Sequence, residues 1–141
     1  MPGLDPDLVV VAGEALTEPV ATQVRVAFPA ARLANIYGPT EATVYATAWY
    51  AEGPIDGPPP IGSPLDNTQV HILGPDLQPT PIGTTGEIYL AGTGLARAYH
   101  NHPTLTAPHF TANPHPPHTR KYRTRDHAQQ HRSQELRQLV A

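Results

Sequence analysis

The segment NIYGPTE holds the side chains best suited to chemistry in this sequence. The ring of Tyr37 can stack on a nucleotide base, and the amide of Asn35 can hydrogen-bond a base edge. Gly38 lets a backbone approach a phosphate closely, and Thr40 can donate to a phosphate oxygen. Glu41 offers a carboxylate oxygen, the kind of ligand that Mg²⁺ prefers. On these residues alone, a nucleotide site and a strand ending in a Gly-Pro turn with an incidental carboxylate are equally good interpretations.

A strand–helix–strand unit is predicted to position this segment. The apolar run at residues 8–12 predicts a buried strand that ends at a glycine. Thr17 is a suitable helix cap, Pro19 suits the first helical turn, and helical spacing continues up to Pro29. Residues 33–37 predict the second strand, whose end carries the polar segment. Ligands of open α/β sheets bind at such carboxyl ends of strands.

The rest of the chain is predicted to be mainly β. Residues 43–50 are rich in β-formers, whereas residues 53–64 hold five Pro and three Gly and indicate a loop. Residues 68–73 and 86–92 alternate polar and apolar side chains, which predicts an antiparallel pair. We interpret residues 82–87 (IGTTGE) as the hairpin turn between them rather than as a phosphate-binding loop.

Little periodicity follows residue 100. One helical turn is predicted within residues 104–110, and residues 133–141 (SQELRQLVA) predict a short amphipathic helix capped by Ser133. The fold class is therefore α/β, with a strand–helix–strand unit followed by a mainly β segment.

Composition restricts the possible functions. The 141 residues contain no Cys, which excludes disulfides and zinc–thiolate sites, and only two Ser. The net charge of −3 is uneven, because residues 100–141 hold six bases, two acids and seven of the eight His residues. We see no signal peptide and no apolar run long enough to span a bilayer, so we expect a cytoplasmic protein.

Four ordered blocks resemble the adenylation (AMP-binding) domains of nonribosomal peptide synthetases, within the adenylate-forming enzyme superfamily. The connecting stretch at residues 60–73 (PIGSPLDNTQVHIL) is similar as well. The four blocks are VAGEALT at residues 11–17, NIYGPTE at 35–41, GEIYLAGTGLARAY at 86–99 and YRTRDHA at 122–128.

This resemblance implies a reaction and a place in a larger fold. ATP and an amino acid give an aminoacyl adenylate and pyrophosphate, and the acyl group then passes to the phosphopantetheine thiol of a carrier protein. Residues 1–128 would be part of the large N-terminal subdomain, and residues 129–141 a divergent C-terminal tail. The implied partners are the amino-acid substrate, the remainder of the domain and the carrier protein, with no nucleic acid and no membrane.

The resemblance also implies roles for single residues. Tyr37 would stack on adenine and Asn35 would contact the adenine amino group, with Gly38 completing the same nucleotide segment. Thr40 would hold the α-phosphate and Glu41 the magnesium ion, which makes both catalytic. The ribose hydroxyls would be bound by Asp126. The amino-acid side chain would lie in a mostly apolar pocket that suits an uncharged side chain; its lining would be Val10, Ala12, Ile36, Val44 and Tyr45.

Departures from the family pattern limit the expected activity. Arg125 stands where the family has Gly, next to Asp126, and we expect crowding or an altered backbone there. His127 replaces an expected Leu and Ala98 an expected Gly. The family's phosphate loop and its C-terminal lysine have no counterpart, since Lys121 does not fit by position. We therefore expect no activity from the chain alone, and the alternative is a non-catalytic nucleotide- or partner-binding remnant of a split or degraded synthetase.

Two rival hypotheses concern the second half of the chain. Imidazoles bind zinc or nickel, so clustered His side chains could form a metal site. The bland interpretation is a solvated Pro-rich loop; the five His are His100, His102, His109, His115 and His118. A short basic patch interrupted by Tyr122 could contact nucleic acid, but we favour a solvated charged strand or loop. The bases of the patch are Arg120, Lys121, Arg123 and Arg125.

Overall fold

The computed structural model describes residues 3–113, 119–131 and 135–139. Ser133, the predicted cap of a C-terminal helix, lies outside these ranges, as do His115 and His118 of the proposed metal cluster. Within the described ranges, no helix is both long and apolar enough to cross a membrane.

The first sheet contains the predicted strand–helix–strand unit. Strands β1 (Leu8–Ala12) and β2 (Arg32–Tyr37) are parallel and are joined by helix α1 (Glu18–Ala27). Strands β3 (Thr47–Tyr50) and β4 (Ser63–Pro64) extend the sheet with antiparallel pairing, in the order β1-β2-β3-β4. The short β4 lies inside the stretch that we predicted to be entirely loop.

The predicted boundaries of helix α1 are confirmed. Thr17 has the extended backbone of a cap residue, and its carbonyl accepts the first helical bond from Ala21 N–H (3.0 Å). Its side chain makes no capping bond. Pro19 lies in the first turn, where its missing N–H costs nothing. The helix ends at Phe28, and its buried face packs Ala21 against Leu33 of β2.

The second sheet is antiparallel throughout. The predicted pair is confirmed as β5 (Thr68–Leu73) and β6 (Thr85–Gly92). Strand β8 (Thr119–Gln130) lies between β6 and β7 (Phe110–Asn113), and also pairs with β9 (Leu136–Leu139). In the β5–β6 connection, Thr84 N–H donates to Pro81 O (3.0 Å) and closes a β-turn. The turn predicted for residues 82–87 is therefore present but lies at residues 81–84, because β6 already begins at Thr85.

Two predictions after residue 100 need correction. The C-terminal helix is wrong, because Leu136–Leu139 is a strand with Leu136 buried and Arg137 exposed. Its partners decide this: Leu136 N–H donates to Gly62 O and Leu136 O accepts from Ile61 N–H, each at 2.9 Å. The predicted helical turn exists as α2 (Pro103–Thr106), but it ends before Phe110, which belongs to β7.

The strand predicted for residues 43–50 begins later than expected. Thr40–Ala42 form a 3₁₀ turn, and Thr43 and Val44 adopt positive φ of 58° and 73°. Residues in the left-handed backbone region cannot continue an extended strand, so β3 begins only at Thr47. Ala46 N–H donates to Tyr37 O (2.8 Å) and folds this loop back onto the end of β2.

A shared apolar core joins the two sheets. It contains residues from the loop before β3, from the segment before β4 and from four strands of the second sheet. Ile88 and Ala128 are completely buried within it. The buried members are Ala42, Ala46, Ile61, Ile72, Ile88, Leu90, Ala128 and Leu136.

Strand β8 bulges where it passes β6. The pairs Glu87–His127 and Tyr89–Arg123 leave three residues of β8 opposite Ile88 alone. The hydroxyl of Thr124 fixes this bulge, because it donates to Ile88 O (2.8 Å) and accepts from the backbone N–H of residue 126 (3.0 Å). Arg125 occupies the apex of the bulge, with a positive φ of 69°. A positive φ is the conformation that glycine favours, so Arg125 adopts a backbone that suits the glycine expected at this position.

Replacing Arg125 by Gly is expected to stabilise the fold. A side chain at positive φ costs about 1 kcal/mol that glycine does not incur, so the free energy of unfolding should rise by about that amount. Urea denaturation of the wild type and Arg125→Gly measures the change. Arg125→Ala is the matched control, since it removes the same side chain but keeps a Cβ; an equal gain from both variants would contradict the explanation.

Candidate functional site

A cavity of about 220 Å³ lies where the two sheets meet, at the carboxyl ends of β1 and β2. Residues 13–15 follow β1, residues 35–39 end β2, and Asp126 comes from the bulge of β8. Ile61 and Gln138 complete the lining. Segments that are far apart in the sequence thus meet at the edge where ligands of open α/β sheets bind.

The hydroxyl of Tyr37 donates to Oδ2 of Asp126 at 2.6 Å, across the cavity. Burial raises the pKa of Tyr37 well above its usual range, and the hydrogen bond to the Asp126 carboxylate raises it further. The bond joins two residues predicted to contact adenine and ribose. It also ties the end of the first sheet to the bulge of the second.

Tyr37→Phe is expected to lower the free energy of unfolding by about 1–2 kcal/mol, because a hydrogen bond to a carboxylate is lost. The neutral phenol is favoured in the fold, whereas the unfolded chain ionises near pH 10. The contribution is therefore complete below pH 10 and is lost as the pH rises above it. Urea titrations from pH 7 to 11 should show a smaller decline for Tyr37→Phe than for the wild type.

Tyr50→Phe is the matched control for this prediction. Tyr50 is exposed and contacts Arg32 through its ring face, so removing its hydroxyl should leave the free energy of unfolding unchanged. An unchanged alkaline decline in Tyr37→Phe would contradict the role of this phenol.

Asn35 is buried, and its Nδ2 donates to Pro60 O at 2.8 Å. Thr47 makes the neighbouring bond, from Oγ1 to Ile61 O at 2.6 Å. The two side chains hold the segment before β4 against the first sheet and so place Ile61 in the cavity wall. The predicted adenine contact of Asn35 is thus left to its amide oxygen.

Gly38 is required by the protein's own backbone. A Cβ at this position would lie 2.5 Å from Val44 O and 2.7 Å from Ala46 N, closer than such atoms approach. The sequence argument gave Gly38 a role in approaching a phosphate. The structure gives an independent reason for glycine, because the loop after the 3₁₀ turn folds directly over it.

Glu41 lies in the 3₁₀ turn that follows the cavity residue Pro39 in the chain, next to the exposed Thr40. The hydroxyl of Tyr99 donates to Glu41 Oε1, and Ala96 N–H donates to Glu41 O (2.7 Å). Partial burial alone would raise the pKa of Glu41, but the hydrogen bonds from Tyr99 and Tyr122 outweigh it and leave that pKa below its usual value. Glu41 is therefore a fixed, ionised carboxylate.

The predicted amino-acid pocket is an open surface in this chain. Ala12 and Ile36 are paired in register, and Val10 lies two residues earlier on the same face of β1. Val10, Val44 and Tyr45 are each about half exposed, at 44%, 52% and 47%. Ile36 also reaches the cavity wall, so the apolar face adjoins the cavity.

Several lining residues were missed by sequence reasoning. Residues 13–15 belong to a block that we recognised but did not assign to a site, and Gly13 adopts a positive φ of 94° that turns the chain there. Gln138 was placed in a predicted helix. Tyr99 also ends a recognised block, but nothing in its sequence neighbourhood signals a contact with Glu41.

The residues of the basic patch have different surroundings in the structure. The guanidinium of Arg120 donates to the carbonyls of residues 96 and 97, and Arg123 forms a bidentate pair with Glu87 (2.7 and 2.9 Å). Lys121 is buried with Nζ 4.9 Å from the ring centre of Tyr89. Three of the four bases thus have intramolecular partners.

The described part of the chain contains no group of three or more His, Cys, Asp or Glu side chains placed to hold a metal ion. His109 instead stacks on Tyr122, and its Nδ1 lies 3.2 Å from Arg123 O. The His residues within the described ranges therefore do not form the proposed cluster.

Comparison with known proteins decides the family. The family model described as AMP-binding enzyme matches residues 5–100. The chain belongs to the AMP-binding enzyme family. Among AMP-binding relatives, a dimodular nonribosomal peptide synthase of Bacillus subtilis (strain 168) is 55% identical over 95 residues, which are 67% of this chain and 4% of that protein. Bacitracin synthase 1 of Bacillus licheniformis is 50% identical over 98 residues, 67% of this chain and 2% of that protein.

Solved structures confirm the AMP-binding fold and its subdomain. The N-terminal subdomain of Klebsiella oxytoca NpsA, in complex with 3-hydroxybenzoyl-AMSN, superposes with a TM-score of 0.85 at 29% identity, covering 96% of this chain and 34% of that one. A nonribosomal peptide synthetase protein containing adenylation and PCP domains gives 0.87 at 28% identity, covering 94% and 28%. The predicted fold class, part of the N-terminal subdomain of an adenylation domain, is confirmed.

Proposed function

We propose that this AMP-binding chain binds ATP in the cavity between its two sheets, as the nucleotide-binding part of an amino-acid adenylation domain. The observation that carries the proposal is the hydrogen bond between Tyr37 and Asp126 at the carboxyl ends of β1 and β2. It joins an aromatic platform for a base to a carboxylate acceptor for ribose hydroxyls.

The residues around this bond suit the remaining parts of a nucleotide. The amide oxygen of Asn35 would accept from the adenine amino group while its Nδ2 donates to Pro60 O. Thr40 is exposed and Glu41 is fixed beside it, at the end where phosphates would lie. Mg²⁺ fits this arrangement, because in nucleotide sites it is held by one or two carboxylates together with the phosphates. Glu41 would supply the carboxylate, and the bound ion would neutralise phosphate charge.

The amino-acid substrate would lie beside the cavity, on the open apolar face that includes Val10, Ala12 and Ile36. Val44 and Tyr45 would close its far side. The reaction would form an aminoacyl adenylate and release pyrophosphate, and a carrier-protein thiol would accept the acyl group. The relatives of known structure that contain adenylation and PCP domains support this partner.

We further propose that the chain binds nucleotide without completing the reaction. Catalysis of this kind depends on stabilising phosphate charge, and a lysine is a usual source of it. The sequence has one lysine, Lys121, whose Nζ lies over the Tyr89 ring on β6 rather than in the cavity. A second polypeptide segment would supply the missing cation. We therefore expect the isolated chain to show no amino-acid-dependent exchange of ATP and pyrophosphate.

Thermal melts of the purified chain with and without Mg-ATP test nucleotide binding. Ligand bound only by the folded state raises the midpoint of unfolding, so a cooperative transition should move upward with ATP and with adenosine. Asp126→Ala should abolish both shifts. Asp66→Ala, which removes an exposed carboxylate before β5, should leave them intact. A cooperative transition that ATP does not move would refute the proposed site.

A further inference from the structure

We propose that Arg125 contacts the phosphate groups of the bound nucleotide, a role that depends on the function proposed above. Three features support this assignment: its place in the bulge, its lack of another partner and the charge of the surrounding groups.

The bulge places Arg125 directly before Asp126, which lines the cavity. Asp126 also receives the Tyr37 hydroxyl. Burial and the hydrogen bond to Glu41 raise the pKa of Tyr99, whereas the positive charge of Arg125 lowers it, so Arg125 lies near the phenol that donates to Glu41. A nucleotide with its ribose at Asp126 and its phosphates toward Glu41 would therefore extend past Arg125.

The backbone conformation keeps Arg125 in this position. The hydroxyl of Thr124 bonds to both Ile88 O and the backbone N–H of Asp126, and so fixes the residues on either side of the apex. A long side chain at φ 69° is a conformation that most residues avoid. An unfavourable backbone conformation next to a residue that lines the cavity points to a function for the side chain.

Arg125 is the member of the basic cluster that remains available. Arg123 is bound to Glu87, and Lys121 is buried over Tyr89. Among the described residues, the exposed guanidinium of Arg125 has no ion-pair partner.

The charge around the cavity favours such a cation. Glu14 and Asp126 line the cavity, so two carboxylates face the region that a polyanion would enter. Guanidinium groups bind phosphate oxygens through charge-assisted, often bidentate hydrogen bonds. Arg125 would offset this repulsion, and it would do so at a position where the family's usual glycine offers no side chain.

Calorimetric titration with ATP and with adenosine tests the proposal. The titrations compare the wild type with Arg125→Lys and Arg125→Asn. Asn tolerates positive φ but carries no charge, whereas Lys keeps the charge. We expect Arg125→Asn to bind ATP about tenfold more weakly and Arg125→Lys to stay within about threefold of the wild type. Adenosine should bind all three proteins equally, which also shows that each variant is folded.

The possible outcomes separate the two proposals. Equal ATP affinity in the wild type and Arg125→Asn would overturn the phosphate contact while leaving the nucleotide site intact. An equal loss in Arg125→Lys and Arg125→Asn would overturn the role of charge. If the wild type bound neither ATP nor adenosine, both proposals would fail together. The ATP affinity of the wild type should also weaken with added salt more steeply than that of Arg125→Asn.

Discussion

Gly62→Ala is expected to unfold the protein. Gly62 lies at φ 81°, and a Cβ there would be 1.9 Å from Ala48 O and 2.2 Å from Ala48 C, both backbone atoms of β3. Its carbonyl also accepts from Leu136 N–H (2.9 Å), which connects the first sheet to β9 of the second. To relieve the clash, Gly62 would have to move away from β3 or lose its hydrogen bond to Leu136 of β9. We expect the free energy of unfolding to fall by more than about 4 kcal/mol, measured by urea denaturation.

Gly57→Ala is the matched control for this variant. Gly57 has nearly the same φ, 82°, but a Cβ at that position meets no atom within 4 Å. Its substitution therefore measures the backbone cost alone, about 1 kcal/mol. Equal losses from the two variants would mean that the contact between Gly62 and β3 does not hold the sheets together.

Gly38→Ala is expected to remove nucleotide binding. The new Cβ would push away the backbone at Val44 and Ala46, and with it the turn that carries Thr40 and Glu41. These two residues form the proposed phosphate end of the site, so the affinity for Mg-ATP should fall more than tenfold. Calorimetric titration measures the loss, and urea denaturation shows how far the fold itself is weakened.

Gly94→Ala serves as the control for the loop around Glu41. Gly94 O accepts from Thr43 Oγ1 (2.5 Å), so it contacts the same turn from the other side. A Cβ at Gly94 finds its nearest atom at 3.7 Å, an ordinary contact. This variant should keep wild-type affinity. Wild-type affinity in Gly38→Ala would instead show that the turn adapts without loss of the site.

The first half of the fold could be predicted from the sequence because its signals are local. An apolar run before Gly13, a cap at Thr17 and a proline in the first turn determine β1 and α1 without any distant contact. The alternation in residues 68–73 likewise predicts β5 from its own side chains. The site residues of β2 followed from the same local reasoning, since the end of a parallel strand is a predictable position.

The second half depends on distant partners that leave no local pattern. Residues 133–141 carry helical spacing, yet Gly62 and β8 hold Leu136 in a strand. The bulge at Arg125 follows from unequal pairing with β6, and the sequence of β8 alone does not predict it. For the same reason Gln138 could not be assigned to the cavity, because it reaches the site through a strand that local reasoning had placed in a helix.

The most direct test of the nucleotide site is to map ATP onto the chain by NMR. Amide resonances of ¹⁵N-labelled protein would be followed during a titration with Mg-ATP. We expect the largest shifts at Gly13, Gly38 and Asp126, three positions that only the folded cavity brings together. A larger cavity lies at the other end of the second sheet, beside Asn67 and Gln69. Saturable shifts confined to that cavity would contradict the proposed nucleotide site. The absence of any saturable shift would contradict it as well.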